Sequence, residues 1–412
     1  MAKVNSFSYL DRRDKRISWV LMWSFIATTL NFVIKTVFPL SGSLWNALSI
    51  ATGGSILAAY LLCLRIVCRR AIKPLLLSFA AFALIYTISC FLCSVRGEPI
   101  NLVLESARTS YLLYLPAGVL AISVSDKRIL YDVMLKASLV LSALLLFKQF
   151  AFYNSLYGQE TETDYSMSFG YRIIVPTILQ LNEFFRSKKK GYLFLALIEI
   201  ICIILYANRG VLLSLFAFLL YESLIGLRKT TAKLLVISIL FGLFIVFFEF
   251  GDVIFDRVIN TLNNIGIKSR TLWMLANDSI DSDSGRLSLI KIAGDMIAEK
   301  PVLGWGVGGE CYHFNLFLHN DVASISCTPH NGIVQAMVQL GVVPGIALSI
   351  LVVIPILNAH RIQDQSLREI IVVYFCAYGV TCLTVSSGFL VQPEIAIFLF
   401  LYYSAKRDVK QR

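Results

Sequence analysis

Long apolar runs with almost no charge constrain this chain more than any other feature of its sequence. Residues 234–250 and 346–357 are two of the clearest, and such runs approach or reach the roughly 20 residues that cross about 30 Å of hydrocarbon. They show no alternation with period 2, and a helix satisfies every backbone hydrogen bond of a segment that lies in lipid. The runs therefore predict an all-α integral membrane protein.

The composition and the positions of the charges support this prediction. Of the 412 residues, 57% are hydrophobic and 15% are charged, whereas about 25% of the residues in a soluble domain are charged. The net charge is +11, but the Lys and Arg residues lie in short tracts beside the apolar runs, at 12–16, 69–73 and 188–190. This positive-inside pattern indicates membrane lipids as partners and no nucleic acid. The first apolar run is too long for a cleavable signal peptide.

The apolar runs predict about twelve membrane-spanning helices. The predicted spans are residues 18–38, 46–66, 74–95, 109–124, 131–151, 166–184, 191–207, 210–227, 232–250, 331–357, 368–386 and 390–405. The basic connections between them all fall on one side, which predicts that both termini lie in the cytoplasm. These connections are residues 65–73, 126–128, 186–190, 228–233 and 360–368. The chain then divides into nine helices (1–250), a large extracytoplasmic loop (251–330), and three helices with a cytoplasmic tail (331–412).

The sixth predicted span, residues 166–184, is the weakest of the twelve. It contains Arg172, Asn182 and Glu183. Charged residues inside a membrane span are costly and mark functional sites by default. Arg172 lies towards the outer half of its span, so we treat it as a candidate phosphate contact.

Most polar residues of the predicted outer face lie in the large loop, and a loop of this length usually has a function. Its central part, residues 286–300, is predicted to form a helix that Asp283 or Ser284 caps and that Pro301 ends. The predicted apolar face consists of Leu287, Ile290, Ile292 and Ile297.

A glycine-rich run at residues 304–309 follows this helix. It resembles a phosphate-binding loop, but it follows a helix and not a strand, and it lacks the lysine. We therefore predict a tight turn. The polar residues after it could suggest a metal site, but their spacing fits no common zinc pattern, so we expect none. These residues are Glu310, Cys311, His313, His319 and Asp321.

Most of the nine cysteines lie inside apolar runs, where a thiol behaves as a small hydrophobe. Cys90 and Cys93 have the spacing of a redox pair, but their place on a predicted membrane helix favours a packing role. Cys311 and Cys327 both fall in the extracytoplasmic loop. Either a disulfide or two separate thiols is compatible with that position.

Two arginines on the predicted outer face are candidate anion-binding residues. Arg209 lies between spans seven and eight, and the positive-inside bias disfavours a lone arginine there unless it has a function. Arg286 opens the loop helix, where a cation opposes the helix dipole but where free backbone N–H groups and a guanidinium can bind one anion. The simpler alternatives are a snorkelling charge for Arg209 and a surface ion pair with Asp281 or Asp283 for Arg286.

His330 follows Pro329 and opens the tenth predicted span, at the outer membrane interface. It could be an ordinary interfacial residue. However, the positive end of a helix dipole favours the neutral imidazole, which can accept a proton. His330 is therefore a candidate general base.

These residues lie in a pattern that resembles the O-antigen ligase and O-antigen polymerase superfamily. His330 and Asn331 are followed after nine residues by Gly341 and, after three more, by Gly345. Residues 284–308, with the sequence Ser-Gly-Arg-Leu at the start and Glu-Lys-Pro-Val-Leu-Gly-Trp-Gly-Val-Gly at the end, are similar to the loop of that superfamily. The Asn-Arg-Gly sequence at 208–210 is similar to its short hairpin.

The resemblance implies a GT-C-like membrane fold and a metal-independent, inverting glycosyltransferase that needs no cofactor. The implied donor is a glycan on undecaprenyl pyrophosphate at the periplasmic face of the bacterial inner membrane. Arg209 and Arg286 would bind the pyrophosphate, and His330 would activate or orient the acceptor hydroxyl. Arg172 and Asn331 are further candidate substrate contacts.

The resemblance leaves the acceptor open. A polymerase, which we favour, adds the glycan to another lipid-linked repeat, a ligase adds it to a lipid A-core sugar, and a third kind of member glycosylates a pilin. A flippase and a chain-length regulator are candidate partners. The competing classes are a lipid-linked oligosaccharide flippase or other transporter, and a non-catalytic assembly partner. Both would tolerate the loss of His330.

Overall fold

The computed structural model describes residues 2–38, 41–155, 167–206, 209–226, 286–317, 329–384 and 388–410, with isolated positions between 231 and 264. Regular structure within these ranges is entirely helical. Several predictions from the sequence concern residues outside these ranges. They are the ninth span at 232–250, the capping residues Asp283 and Ser284, and the residues His319, Asp321 and Cys327.

The helices before the large loop follow the predicted order. They are α1 (Ala2–Val37), α2 (Gly42–Arg96), α3 (Asn101–Thr109), α4 (Leu115–Ser123), α5 (Lys127–Ser155), α6 (Met167–Ser187), α7 (Lys190–Tyr206) and α8 (Arg209–Tyr221). A π-helical turn, Ser110–Tyr114, joins α3 to α4, and another, Glu222–Gly226, follows α8.

The helices from the loop onwards include both loop and membrane elements. They are α9 (Arg286–Glu299), α10 (Gly309–Phe317), α11 (Gly332–Leu340), α12 (Val342–Asn358), α13 (Gln365–Tyr374), α14 (Val380–Thr384) and α15 (Pro393–Lys410). A 3₁₀ turn, Ala359–Arg361, follows α12, and the π-helical turn Phe375–Gly379 joins α13 to α14.

Five helical stretches of the described chain are long and apolar enough to cross a membrane. They are Asp11–Val37, Gly42–Arg96, Lys127–Ala151, Val342–Arg361 and Gln365–Thr384. The protein is therefore an α-helical integral membrane protein, as predicted. The count of twelve spans and the GT-C-like topology stay predictions.

The second stretch, α2, contains 55 residues, and a straight helix of that length would extend about 80 Å. It is two helical segments, because Ala71 has non-helical angles (φ −134°, ψ 23°). Pro74 follows three residues later, and proline both lacks the N–H that would bind the carbonyl of residue 70 and collides with that turn. The predicted connection at 65–73 is thus a break within α2. The two segments of α2 on either side of the break match the predicted spans 46–66 and 74–95.

The chain divides into two compact units. Unit 1 contains Met1–Ala27, Ala47–Met134 and Gly285–Arg412. Unit 2 contains Thr28–Asn46 and Leu135–Ser284. Helices α1, α2 and α5 contribute residues to both units.

Close helix packing in unit 1 is clearest where α4 meets α15. A Cβ at Gly118 would lie 2.7 Å from the ring of Phe400, so glycine is what lets the ring rest on the α4 backbone. The Ser110 hydroxyl before α4 donates to the Leu390 carbonyl over 2.7 Å.

In unit 2, Gln180 of α6 donates to Ser142 over 2.8 Å and to Glu199 of α7 over 3.0 Å.

The predicted continuous span at 331–357 is wrong, because the chain breaks at Gly341 into α11 and α12. Gly341 has φ 89° and ψ 167°, a region that only glycine occupies at low cost. A Cβ at Gly341 would collide with the Val302 carbonyl. At Gly345 it would lie 2.5 Å from the Met337 nitrogen, so α12 starts in direct contact with the α11 backbone.

We predict that Gly341→Ala destabilises the folded protein by about 3 kcal/mol or more, since it adds backbone strain and a collision. The measurement is the thermal unfolding midpoint of the full-length protein in detergent. Gly294→Ala is the matched control, because a Cβ at this exposed α9 position meets nothing within 4 Å and should stabilise the helix by about 0.5–1 kcal/mol. Equal midpoints for the two variants would contradict the role assigned to Gly341.

Candidate functional site

The predicted loop helix is present as α9, which starts at Arg286 and ends at Glu299, just before Pro301. Its buried face differs from the predicted one. Ile290 is 38% exposed, whereas Leu289, Ala293 and Met296 are buried. This face forms an apolar cluster with Trp305, Phe314 and Val338, against which Ile292, Ile297 and Val334 pack. The cluster joins α9, the glycine-rich turn, α10 and α11.

The glycine-rich run forms the predicted tight turn. Gly304, Gly306 and Gly308 all have positive φ angles, between 64° and 89°. The Trp305 N–H donates to the Val338 carbonyl over 2.8 Å, and the Gly306 N–H donates to the Gln339 carbonyl over 2.9 Å. These two carbonyls are among the last four of α11, which a helix cannot satisfy internally. The turn therefore caps the C-terminal end of α11.

The buried carboxylate of Glu310 also holds the glycine-rich turn in place. Its Oε2 accepts from the Gly308 N–H over 2.6 Å. Its Oε1 accepts from the side-chain amides of Gln335, over 3.2 Å, and Gln339. Burial raises the pKa of Glu310, and the hydrogen bonds oppose that shift. The carboxyl group thus links the turn to successive turns of α11.

Trp305 is 3% exposed and lies at the centre of a charged cluster. The guanidinium carbon of Arg96 lies 4.8 Å from the Trp305 ring centroid, and the His313 ring lies 3.8 Å from it. The His313 Nε2 lies 2.7 Å from Glu98 Oε1, and the indole N–H of Trp305 donates to the Met296 carbonyl over 2.9 Å. The cluster fixes the loop to the end of α2.

His330 precedes α11 and adopts φ 51°, a left-handed conformation that is uncommon for a residue with a side chain. Asn331 is the N-cap of α11, and its Oδ1 accepts from the N–H groups of Ile333 and Val334, each over 3.1 Å. The oxygen of Asn331 is therefore used to begin the helix. The proposed contact of Asn331 with substrate stays a prediction.

Arg286 starts α9 and His330 lies just before α11, and these two helices run side by side. The C-terminal ends of α9 and α11 meet where the Val342 N–H donates to the Pro301 carbonyl over 2.8 Å. The shared apolar cluster extends to Leu289 and Val334, near the other ends of the two helices. We infer that α9 and α11 begin on the same side of the cluster.

The other two predicted cations belong to unit 2. Arg209 is the first residue of α8. Arg172 in α6 lies with its Nη1 3.3 Å from the Thr29 hydroxyl and with its guanidinium carbon 5.1 Å from the Phe32 ring centroid. Lys148 of α5, to which we assigned no role from the sequence, is 2% exposed and lies 5.8 Å from the same ring. The signal in the sequence was that Lys148 is the one charged residue among positions 137–151 of the predicted span 131–151.

Within the described ranges, no group of three or more His, Cys, Asp or Glu side chains could hold a metal ion. Cys90 and Cys93 are both thiols. Because Cys327 lies outside the described ranges, the proposed disulfide with Cys311 stays a prediction.

The comparison with protein families identifies the segment that contains most of these residues. The Wzy_C family model, described as O-antigen ligase, matches residues 193–350. This segment is similar to the O-antigen ligase family. The resemblance inferred from the motifs is thereby confirmed. No curated protein and no solved structure matches the chain.

The family segment covers less than half of the chain and contains Arg209, Arg286 and His330 but not Arg172. The match supports an enzymatic activity of the O-antigen ligase or polymerase type in a bacterial membrane. The structure also shows how the glycine-rich run at 304–309 and the motif that begins at His330 are connected. The glycine-rich turn caps the helix that follows His330, and Gly341 is required where that helix ends.

The capping role of Asn331 can be separated from a contact with substrate. We predict that Asn331→Ala lowers the free energy of unfolding by about 1 kcal/mol, whereas Asn331→Asp keeps the cap and the stability. The measurement is thermal unfolding of both variants beside glycan display in cells. Loss of glycan display by a fully stable Asn331→Asp protein would show that the amide also contacts substrate.

Burial lowers the pKa of His313, and this effect outweighs the opposing hydrogen bond of the imidazole to the Glu98 carboxylate. Below the ordinary value of 6.5 the unfolded imidazole takes up a proton that the folded one resists. We therefore predict that stability falls as the pH drops through 6.5 and that His313→Gln flattens this dependence. Thermal unfolding between pH 5.5 and about 8 measures it. His360→Gln, which replaces an exposed histidine, is the control variant.

Proposed function

We propose that this protein is a metal-independent, inverting glycosyltransferase that uses a glycan on undecaprenyl pyrophosphate as donor. It polymerises the repeat units of an O-antigen, capsule or exopolysaccharide at the outer face of the inner membrane. The family match over residues 193–350 is the observation that carries this proposal. That segment includes two arginines for the diphosphate, Arg209 and Arg286, and one histidine for the acceptor, His330.

Departure of the pyrophosphate determines what the arginines do. Cleavage of the anomeric C–O bond leaves a diphosphate that is already a good leaving group, so positive charge is needed more than a proton donor. Guanidinium groups suit this task because they bind two phosphate oxygens at once. Arg209 and Arg286 supply that charge in this proposal.

Arg172 and Lys148 are further cations for an anionic substrate. Both lie against the ring of Phe32 in unit 2. Charged groups buried in a membrane protein are retained chiefly where a function requires them. We assign Arg172 a supporting contact with the diphosphate, and Lys148 strengthens the positive potential beside it.

The acceptor hydroxyl must lose its proton as it attacks the anomeric carbon from the face opposite the diphosphate. A neutral imidazole at His330 can take that proton, a contribution of roughly 10²–10⁴-fold. The left-handed backbone of His330 supports this assignment, because such strain is concentrated at functional sites. The membrane helices provide an apolar environment for the polyprenyl tail.

The alternative acceptor is a lipid A-core sugar, which would make the protein a ligase. The description of the matching family, O-antigen ligase, favours this alternative. A flippase that moves the lipid-linked oligosaccharide is the competing function from another class. A flippase and a chain-length regulator are also the partners that we expect for a polymerase.

We predict that His330→Asn abolishes glycan transfer without unfolding the protein. Asparagine tolerates the left-handed backbone of this position, so only the imidazole is lost. Arg286→Lys and Arg209→Lys should each reduce transfer by tenfold or more, on the order of 1.4 kcal/mol, since lysine keeps the charge but loses the fork. The measurement is the glycan ladder of a deletion strain complemented with each variant, with membrane expression checked by immunoblot. His360→Asn is the control.

The product that remains identifies the reaction. A single repeat on a capped core indicates a polymerase, whereas bare core with accumulated lipid-linked polymer indicates a ligase. A normal ladder from His330→Asn at wild-type expression would exclude the catalytic assignment and favour a transporter or an assembly partner.

A further inference from the structure

A cavity of about 270 Å³ lies between α1 and the first segment of α2, close to the break at Ala71. Its lining contains three arginines, Arg13 from α1 and Arg65 and Arg69 from α2, together with Ile66. We call this site the arginine cavity. It belongs wholly to unit 1 and contains none of the residues assigned to glycan transfer.

Asp14, the buried carboxylate next to Arg13 in the sequence, is bound to a residue outside the arginine cavity. Asp14 is buried and forms its ion pair with Arg70. It also accepts from the N–H groups of Ser125 and Asp126, over 3.1 and 2.9 Å. Arg65 and Arg69 are exposed and form no ion pair with the described residues. Their charge therefore faces the cavity and its surroundings.

An exposed apolar row leads along α2 to these arginines. Leu57 and Leu61 are 50% and 59% exposed, and Arg65 and Arg69 continue the row at intervals of four residues. Side chains four apart lie on one face of a helix. The row lies on a stretch that is apolar and long enough to cross a membrane, so a hydrocarbon chain is its natural neighbour.

The opposite face of this segment packs against the protein. Ile56, Cys63 and Val67 are buried, and the Trp23 indole of α1 donates to Ser55 over 3.3 Å. The leucine row is thus the outward face of a fixed helix pair. An apolar row that ends at several guanidinium groups matches the chemistry of a phospholipid, with acyl chain and phosphate in that order.

We propose that the arginine cavity binds the phosphate headgroup of an anionic phospholipid whose acyl chain lies along Leu57 and Leu61. Arg13 and Arg69 come from different helices, so the bound phosphate links α1 to α2 where α2 breaks. This site is independent of glycan transfer. A soluble phosphate shares the headgroup chemistry but has no acyl chain that could contact Leu57 and Leu61.

The experiment measures binding of phosphatidylglycerol to the delipidated full-length protein by native mass spectrometry. Phosphatidylcholine and inorganic phosphate are the comparison ligands. We expect Arg65→Gln/Arg69→Gln to weaken phosphatidylglycerol binding roughly tenfold or more. The charge-matched control is Arg12→Gln/Lys15→Gln, which removes two exposed cations of α1 outside the cavity. It should change binding less than about twofold.

Two more variants test the parts of the site separately. Arg65→Lys/Arg69→Lys keeps both charges without the guanidinium fork and should give an intermediate loss. Leu61→Ser should weaken phosphatidylglycerol binding while the arginines stay in place. Equal weakening by both double glutamine variants would show a general charge effect and overturn the site. Equal binding of phosphatidylcholine, or competition by inorganic phosphate at similar concentration, would overturn the lipid assignment.

Discussion

The arrangement of the loop depends on two backbone hydrogen bonds that cap α11 from a distant part of the chain. A nine-residue helix is marginal alone in water, and its last carbonyls have no partner within the helix. The N–H groups of Trp305 and Gly306 satisfy the carbonyls of Val338 and Gln339. These bonds join the glycine-rich turn, which has positive φ at three positions, to the helix that starts directly after Asn331. The two sequence motifs, residues 304–308 and residues 330–331, are therefore parts of one structural unit.

The buried polar groups explain why this unit has one arrangement. Burial of the Glu310 carboxyl is unfavourable unless its oxygens are hydrogen-bonded, and the turn and α11 together provide three donors. Trp305 adds an aromatic surface on which Arg96 and His313 lie. A sliding of α11 against the turn would break several of these contacts at once. The apolar cluster supplies most of the stabilisation, and the polar contacts select the register.

Local sequence signals predicted much of the fold but not its long-range contacts. Apolar runs and basic connections predicted the helix order, and Pro301 predicted the end of α9. The break at Gly341 was missed because residues 342–357 continue the apolar run and a membrane helix tolerates glycine. The sequence suggested Glu310 only as a metal ligand, because its two partners in α11, Gln335 and Gln339, lie 25 and 29 residues away. Lys148 was missed because Phe32, which it contacts, comes from another helix.

The position of His330 illustrates how the surrounding structure can hold a strained residue in place. A left-handed backbone at a residue with a Cβ costs about 1–2 kcal/mol, so the surrounding structure has to compensate. Asn331 begins α11 immediately after it, and a Cβ at Gly332 would lie 2.5 Å from the Cys382 carbonyl, so α11 starts in contact with α14. Packing therefore fixes the chain directly after His330. A side chain held in this way has little conformational freedom left to lose, which suits the role of base that we propose for His330.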